Sequence, residues 1–241
     1  MQRDSFQRSR HKGQQPPQRK LEYSIKVPDI DAEDQLIKNL QIPPDAAEKG
    51  AWSDLYDFPI IAIHSAPLPD GSILTYGASI GNTYPLKVGR SWVTWDPTKG
   101  YGRGATQAHW NNGYIDSLCT SSCLMPDGQF LSVGGSSKGK LDTVAFDYTT
   151  HKTTKLPDLH LGRWYATLTK LGDGSAVIAG GSGYRDDQVT PELWDPSSKT
   201  WKLLPGAKSE RIFELTYRYW YPQQWLTKTG TVFGISGELV S

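Results

Sequence analysis

The side chains of this 241-residue chain that could do chemistry include two cysteines, five histidines and, among its tyrosines, Tyr165. Cys119 and Cys123 are too few to form a disulfide framework. Placed on one extended strand they would stand about 13 Å apart, beyond disulfide reach. Cys123 then reads as a small buried hydrophobe. His11, His64, His109, His151 and His160 each read more readily as surface or turn residues than as ligands. A tyrosine such as Tyr165 ordinarily packs in a core with its hydroxyl bonded. Its phenol, with an ordinary pKa of about 10, is not deprotonated unaided near neutral pH. The chain has no His-Glu-x-x-His pair, phosphate loop or dinucleotide fingerprint. Its carboxylates are scattered through turns, with no pair to nominate. Taken by themselves, these residues nominate no reaction.

The elements that would position them form a repeating pattern. Gly162 to Gly181 reads as two short strands joined at Gly172-Asp173-Gly174 and closed by Gly180-Gly181. Alternation around Tyr165, Thr167 and Thr169 predicts a strand, and Ala176–Ala179 is a short apolar run. Gly174 supplies the positive φ of a tight hairpin. The pattern recurs from Cys119 to Gly135, from Ile63 to Gly77 and, degenerately, from Tyr221 to Gly237. The turn glycines 71, 128, 174 and 230 are about fifty residues apart, the period of a kelch-type blade. Aromatic-Asp strands follow at Trp95-Asp96, Phe146-Asp147 and Trp194-Asp195. After two of these comes another short strand, best seen from Lys199 to Pro205. Four strands per repeat make one blade. The expected fold is an all-β, kelch-like β-propeller holding about three blades and the start of a fourth, an incomplete ring.

Two of these motifs carry a resemblance. Arg163-Trp164-Tyr165 places its tyrosine eight residues before Asp173, and Cys119 lies fifteen residues before Gly134. In that order, in consecutive repeats, they resemble the galactose oxidase and glyoxal oxidase family of copper-radical oxidases. The resemblance covers roughly residues 50 to 241, and Gly50-Ala51-Trp52 is similar to the lead-in of bacterial members. It implies that Tyr165 is an equatorial copper ligand, joined by a thioether to Cys119 of the preceding blade. Copper would supply the acidity that deprotonates the phenol, and sulfur ortho to the oxygen would lower the ring's oxidation potential. The full enzyme would oxidise a small aldehyde or primary alcohol by two electrons and pass them to O2, giving H2O2.

The sequence also departs from the family pattern. In galactose oxidase a tryptophan just after the second Gly-Gly stacks on the cross-link. Ser182-Gly183-Tyr184 stands there, so that device is absent or replaced by Tyr184, which argues against galactose as substrate. Trp164 resembles the glyoxal oxidases, and reads equally as a core residue on the opposite strand face. The family's other ligands are a Tyr-His pair in a later blade and a histidine near the C-terminus. No Tyr-His pair occurs, and none of the five histidines has a matching context. Tyr165 is thus the only identifiable ligand, whereas copper(II) favours a tetragonal site with several. The chain is read as the N-terminal part of a longer oxidase, with a C-terminal portion of the propeller missing, inactive and weak in copper binding by itself. The alternative is a non-catalytic kelch propeller that binds another protein through its loops.

The remaining sequence bounds these readings. Residues 1–20 are basic and Gln-rich, carry about +5, and are expected to be disordered. The rest carries about −4, so no basic face argues for a nucleic-acid partner. Residues 21–50 read as a linker with a short helix from Asp31 to Leu40, and residues 51–241 as the partial propeller. Residues 78–92 and 98–117 are expected to be Gly-rich connections. No apolar run approaches a membrane span, and no secretory signal opens the chain. The family is usually exported, so localisation stays open.

Overall fold

The computed structural model describes residues 43–52, 55–56, 58–79, 90–101, 103–135, 140–183, 188–213 and 220–235. The expected disordered tail, the helix from Asp31 to Leu40, and Tyr184 lie outside these residues. The described chain is all-β, with three antiparallel four-stranded sheets and one two-stranded ladder. Helix is confined to single turns such as α1 (Ala46–Lys49) and α2 (Glu210–Phe213).

Each sheet is a meander in chain order. The first contains β1 (Ile60–Pro67), β2 (Ile73–Ser79), β3 (Ser91–Trp95) and β4 (Thr106–Trp110). The second contains β5 (Thr120–Leu124), β6 (Phe130–Gly134), β7 (Thr143–Asp147) and β8 (Lys152–Leu156). The third contains β9 (Thr167–Lys170), β10 (Ala176–Ala179), β11 (Glu192–Asp195) and β12 (Thr200–Leu203). The ladder pairs β13 (Gln223–Leu226) with β14 (Val232–Ile235). This is the arrangement of a partial β-propeller: β5 touches β9 and β9 touches β13, so the first strands of successive sheets converge.

One expectation fails. The connection expected over residues 98–117 contains β4, the fourth strand of the first sheet. Thr-Gln-Ala-His-Trp buries only His109, so it shows neither an apolar run nor a clean alternation. Two short 3-10 turns, Pro97–Lys99 and Arg103–Ala105, lengthen the hairpin that would have marked it.

Burial follows strand position. All five residues of β6 and the first four of β7 are buried, because neighbouring sheets cover both of their faces. In β12, by contrast, exposed positions flank the buried Trp201. One core, between the first two sheets, joins Leu74, Tyr76 and Trp92 to Phe130, Val144 and Phe146. A second joins Leu131 and Val133 to Leu168, Ile178, Trp194 and Trp201. Each large apolar side chain so buried contributes about 1.5–3 kcal/mol. Polar contacts fix the register between sheets: Trp92 Nε1 donates to Ser117 Oγ at 2.8 Å, and Trp201 Nε1 to Thr143 Oγ1 at 2.9 Å.

The recurring Asp and Gly-Gly residues have structural roles. Asp70, Asp127 and Asp173 each accept a backbone N–H two residues on, which closes the hairpin. Asp96, Asp147 and Asp195 do the same after the third strands. At the other end, a Cβ on Gly134 would stand 2.6 Å from the Arg163 carbonyl oxygen, at a φ of 84°. Only glycine lets the Arg163-Trp164-Tyr165 segment of the third sheet lie this close to β6.

Candidate functional site

Cys119, Tyr165 and Tyr221 each stand nine residues before the turn glycine of their repeat. All three are left-handed, with φ of 66°, 61° and 50°. For residues with a Cβ this costs roughly 1–2 kcal/mol each. Tyr165 therefore does not lie on the strand predicted for it. It precedes β9, and the left-handed residue interrupts the alternation before the strand starts. Backbone hydrogen bonds tie the three together: Tyr165 N donates to Cys119 O at 3.3 Å, and Tyr221 N to Tyr165 O at 2.6 Å. Beyond this row the first strands are stitched by Leu168 N to Ser121 Oγ at 2.7 Å and Thr169 Oγ1 to Gln224 Oε1 at 3.2 Å.

The row brings side chains from neighbouring sheets into contact. The Cys119 thiol lies close enough to the Tyr165 phenol to act on it, and that interaction, with partial burial, raises the phenol's pKa above its usual 10.0. Trp164 stacks on Tyr165 with ring centres 4.4 Å apart and planes 24° apart. Trp220 lies 4.7 Å from Tyr165 and 5.0 Å from Trp164. The Tyr221 ring is 5.1 Å from Tyr165, and its hydroxyl donates to Thr120 O at 3.3 Å. Burial of that hydroxyl raises the Tyr221 pKa, although 38% of the residue's surface remains exposed. Cys119 is half-buried, and neither cysteine forms a disulfide. Cys123 packs against the second core, where burial pushes its thiol up to about 12.

Arg163 positions this cluster and takes no part in its surface. It is fully buried, and donates to the carbonyls of Gly180, Gln188 and Thr190 and to Glu192 Oε1. Glu192, equally buried, also accepts from the backbone N–H of His160 at 2.8 Å and of Leu161 at 3.2 Å. The pair welds the approach to Tyr165 onto β11. A buried ion pair gains little over an apolar replacement, but losing one partner strands the other charge.

Two histidines depart from the surface role expected of them. His64 follows a bulge in β1, stacks on Tyr76 at 4.7 Å and meets Tyr221 edge-on at 6.5 Å. Its Nε2 is buried and has no hydrogen-bond partner among the described residues, and burial lowers its pKa. His109 is buried, bonded through Nε2 to Thr94 Oγ1 at 2.8 Å, with the His151 ring at 4.7 Å. Burial, then the neighbouring His151, bring its pKa down to about 4.

Of the residues nominated from sequence, Tyr165, Cys119 and Trp164 come together, while Tyr184 is outside the described residues. Tyr221, Trp220 and His64 join the cluster without having been nominated. The repeat position that Tyr221 shares with Cys119 and Tyr165 was the available signal; His64 and Trp220 had none. Among the described residues no three or more His, Cys, Asp or Glu converge on a common point. No described helix is long and apolar enough to cross a membrane.

No family model matches the chain. It is 28% identical over 163 residues to galactose oxidase from Gibberella zeae, a match covering 66% of this chain and 23% of that protein. It is 36% identical over 82 residues to an aldehyde oxidase from Vitis pseudoreticulata, covering 32% of this chain and 16% of the relative. The chain thus spans less than a quarter of the length of either relative. Among solved structures it resembles a fungal alcohol oxidase in complex with copper, with a TM-score of 0.50 and 22% identity over 63% of this chain and 32% of that one.

Proposed function

We propose that this chain belongs to the copper-radical oxidase family, a reading supported by its similarity to galactose oxidase and an aldehyde oxidase, and that it carries the cross-linkable tyrosine of such an enzyme's radical site. The observation that carries the reading is that Cys119 and Tyr165, from neighbouring sheets, are tied by a backbone hydrogen bond of 3.3 Å with their side chains close enough to interact. The whole enzyme, a kelch-type propeller, would oxidise a small aldehyde or primary alcohol with O2 and release H2O2.

The donor set fits one side of a copper centre only. Tyr165 offers a phenolic oxygen, and the described residues hold no converging set of nitrogen and carboxylate ligands to complete a tetragonal site. When bound, copper would supply the Lewis acidity that displaces the phenol's proton. The chain's own residues do the rest. Tyr165 is protonated near neutral pH, and the neighbouring Cys119 raises its pKa further, so a bound cation would have to displace that proton. Trp164 covers one face of the ring, and Tyr184 is proposed to flank it. Cross-linking breaks the Cys119 S–H bond and one ortho C–H bond of Tyr165 and forms an S–C bond. Dioxygen takes the two electrons and two protons as H2O2.

Exogenous imidazole with copper(II) under air tests the reading, because it supplies the nitrogen ligands missing from the set. Intact mass should then show the loss of two hydrogen atoms, and Cys119→Ser or Tyr165→Phe should abolish it. Without imidazole the thiol should stay free, and the chain should release no peroxide from glyoxal, methylglyoxal or galactose. Failure to cross-link at saturating copper and imidazole would sink the proposal. Stoichiometric peroxide from the unaided chain would show that other residues complete the site.

A further inference from the structure

We infer that Tyr221 is a positioning residue that clamps Cys119 and Tyr165 together. The inference rests on the proposed cross-link and adds a residue that neither the motifs nor the relatives single out. Three contacts carry it. The Tyr221 backbone N–H donates to Tyr165 O at 2.6 Å, its ring packs 5.1 Å from the Tyr165 ring, and its hydroxyl donates to Thr120 O. Thr120 directly follows Cys119, and its own side chain is anchored by donating to Ser117 O at 2.9 Å. One residue just before the two-stranded ladder therefore holds the tyrosine through ring and backbone and the cysteine segment through its hydroxyl.

The geometry explains why a second tyrosine takes a left-handed conformation at this position. Cys119 and Tyr165 come from different sheets, and between them the backbone supplies a single hydrogen bond of 3.3 Å at this point. A rigid phenol spanning both sheets limits their relative sliding at little side-chain entropy cost, since its position is set by two torsions. His64, edge-on to Tyr221 from the first sheet, closes the outer side of the same ring. Bond formation between sulfur and the ortho carbon needs the two atoms held in reacting geometry, and a displacement of about 1 Å can cost roughly 10²-fold in rate.

The test compares Tyr221→Phe and Tyr221→Ala with the unchanged chain in two readouts. The first is the residue-resolved alkylation rate of Cys119 without metal, with Cys123 as internal reference. The second is the cross-linking rate with copper(II), imidazole and air. Tyr221→Ala should raise Cys119 alkylation severalfold, leave Cys123 unchanged, and slow cross-linking by about tenfold or more. Tyr221→Phe keeps the ring and should fall between the two, a graded rescue that loss of folding would not produce. Unchanged Cys119 alkylation and unchanged cross-linking in Tyr221→Ala would overturn the inference. If the unchanged chain never cross-links, the proposed function fails, while the alkylation rates still decide whether Tyr221 holds the thiol in place. Equal acceleration at Cys123 would mark general loosening and would also overturn it.

Discussion

The two ends of each sheet are built by different rules. At the turn end, an aspartate closes the first hairpin of each four-stranded sheet by the same bond: Asp70 to Ser72, Asp127 to Gln129, Asp173 to Ser175. At the entry end, where first strands converge, the repeated position holds Cys119, then Tyr165, then Tyr221, each in a left-handed conformation. Residues recurring unchanged are satisfied locally and serve the fold. The position whose residue changes while its backbone stays the same is the one that gathers reactive side chains. Strain that persists there is held by the surrounding structure.

Replacing the buried cation that supports the entry end should have the largest effect. Arg163→Met should cost about 3–5 kcal/mol, read as a lowered denaturant midpoint, because Glu192 is left buried and charged. The double variant Arg163→Met with Glu192→Leu should recover much of the loss. If it does not, the guanidinium's bonds to the Gly180, Gln188 and Thr190 carbonyls matter more than the ion pair.

Acid should loosen the first sheet next. Folded His109 titrates at about 4, below its ordinary 6.5, so the unfolded chain binds more protons between those values. Stability should be full above about pH 6.5 and fall as the pH drops towards 4. The melting temperature of His109→Gln should be flatter over that window. A wild-type profile no steeper than the variant's would place the acid sensitivity elsewhere.

A smaller loss is expected at the turn end. Asp173→Ala removes two hydrogen bonds to Ser175 and should cost about 1 kcal/mol, with cross-linking untouched. Hydrogen bonding to Ser175 lowers the Asp173 pKa below 3.8, so its contribution is present above that value and disappears as the pH falls further. An effect on the cross-linking rate would break the separation of the two ends.

The smallest change in stability should come with the greatest change in chemistry. Cys119→Ser replaces a half-buried thiol by a hydroxyl of similar shape and should shift unfolding by under about 0.5 kcal/mol. It should nonetheless abolish cross-linking. A destabilisation like that of Arg163→Met would mean that Cys119 is a packing residue.

Much of the fold was determined by the sequence alone, because turn chemistry is local. An Asp-Gly pair forms its hairpin with whatever flanks it, and the strands Phe130–Gly134 and Ala176–Ala179 stand where their apolar runs predict. β4 was not legible, since a strand covered on one face by a single buried histidine has no apolar signature. At the site, the resemblance of the Cys119 and Tyr165 motifs to those of copper-radical oxidases nominated both. Only the tertiary structure decided that thiol and phenol touch, since that depends on how neighbouring sheets pack and on a glycine, Gly134, thin enough to let Arg163 pass. The same holds for Trp220 and His64, which come from distant parts of the chain. Their meeting is set by long-range packing, which no local pattern of residues records.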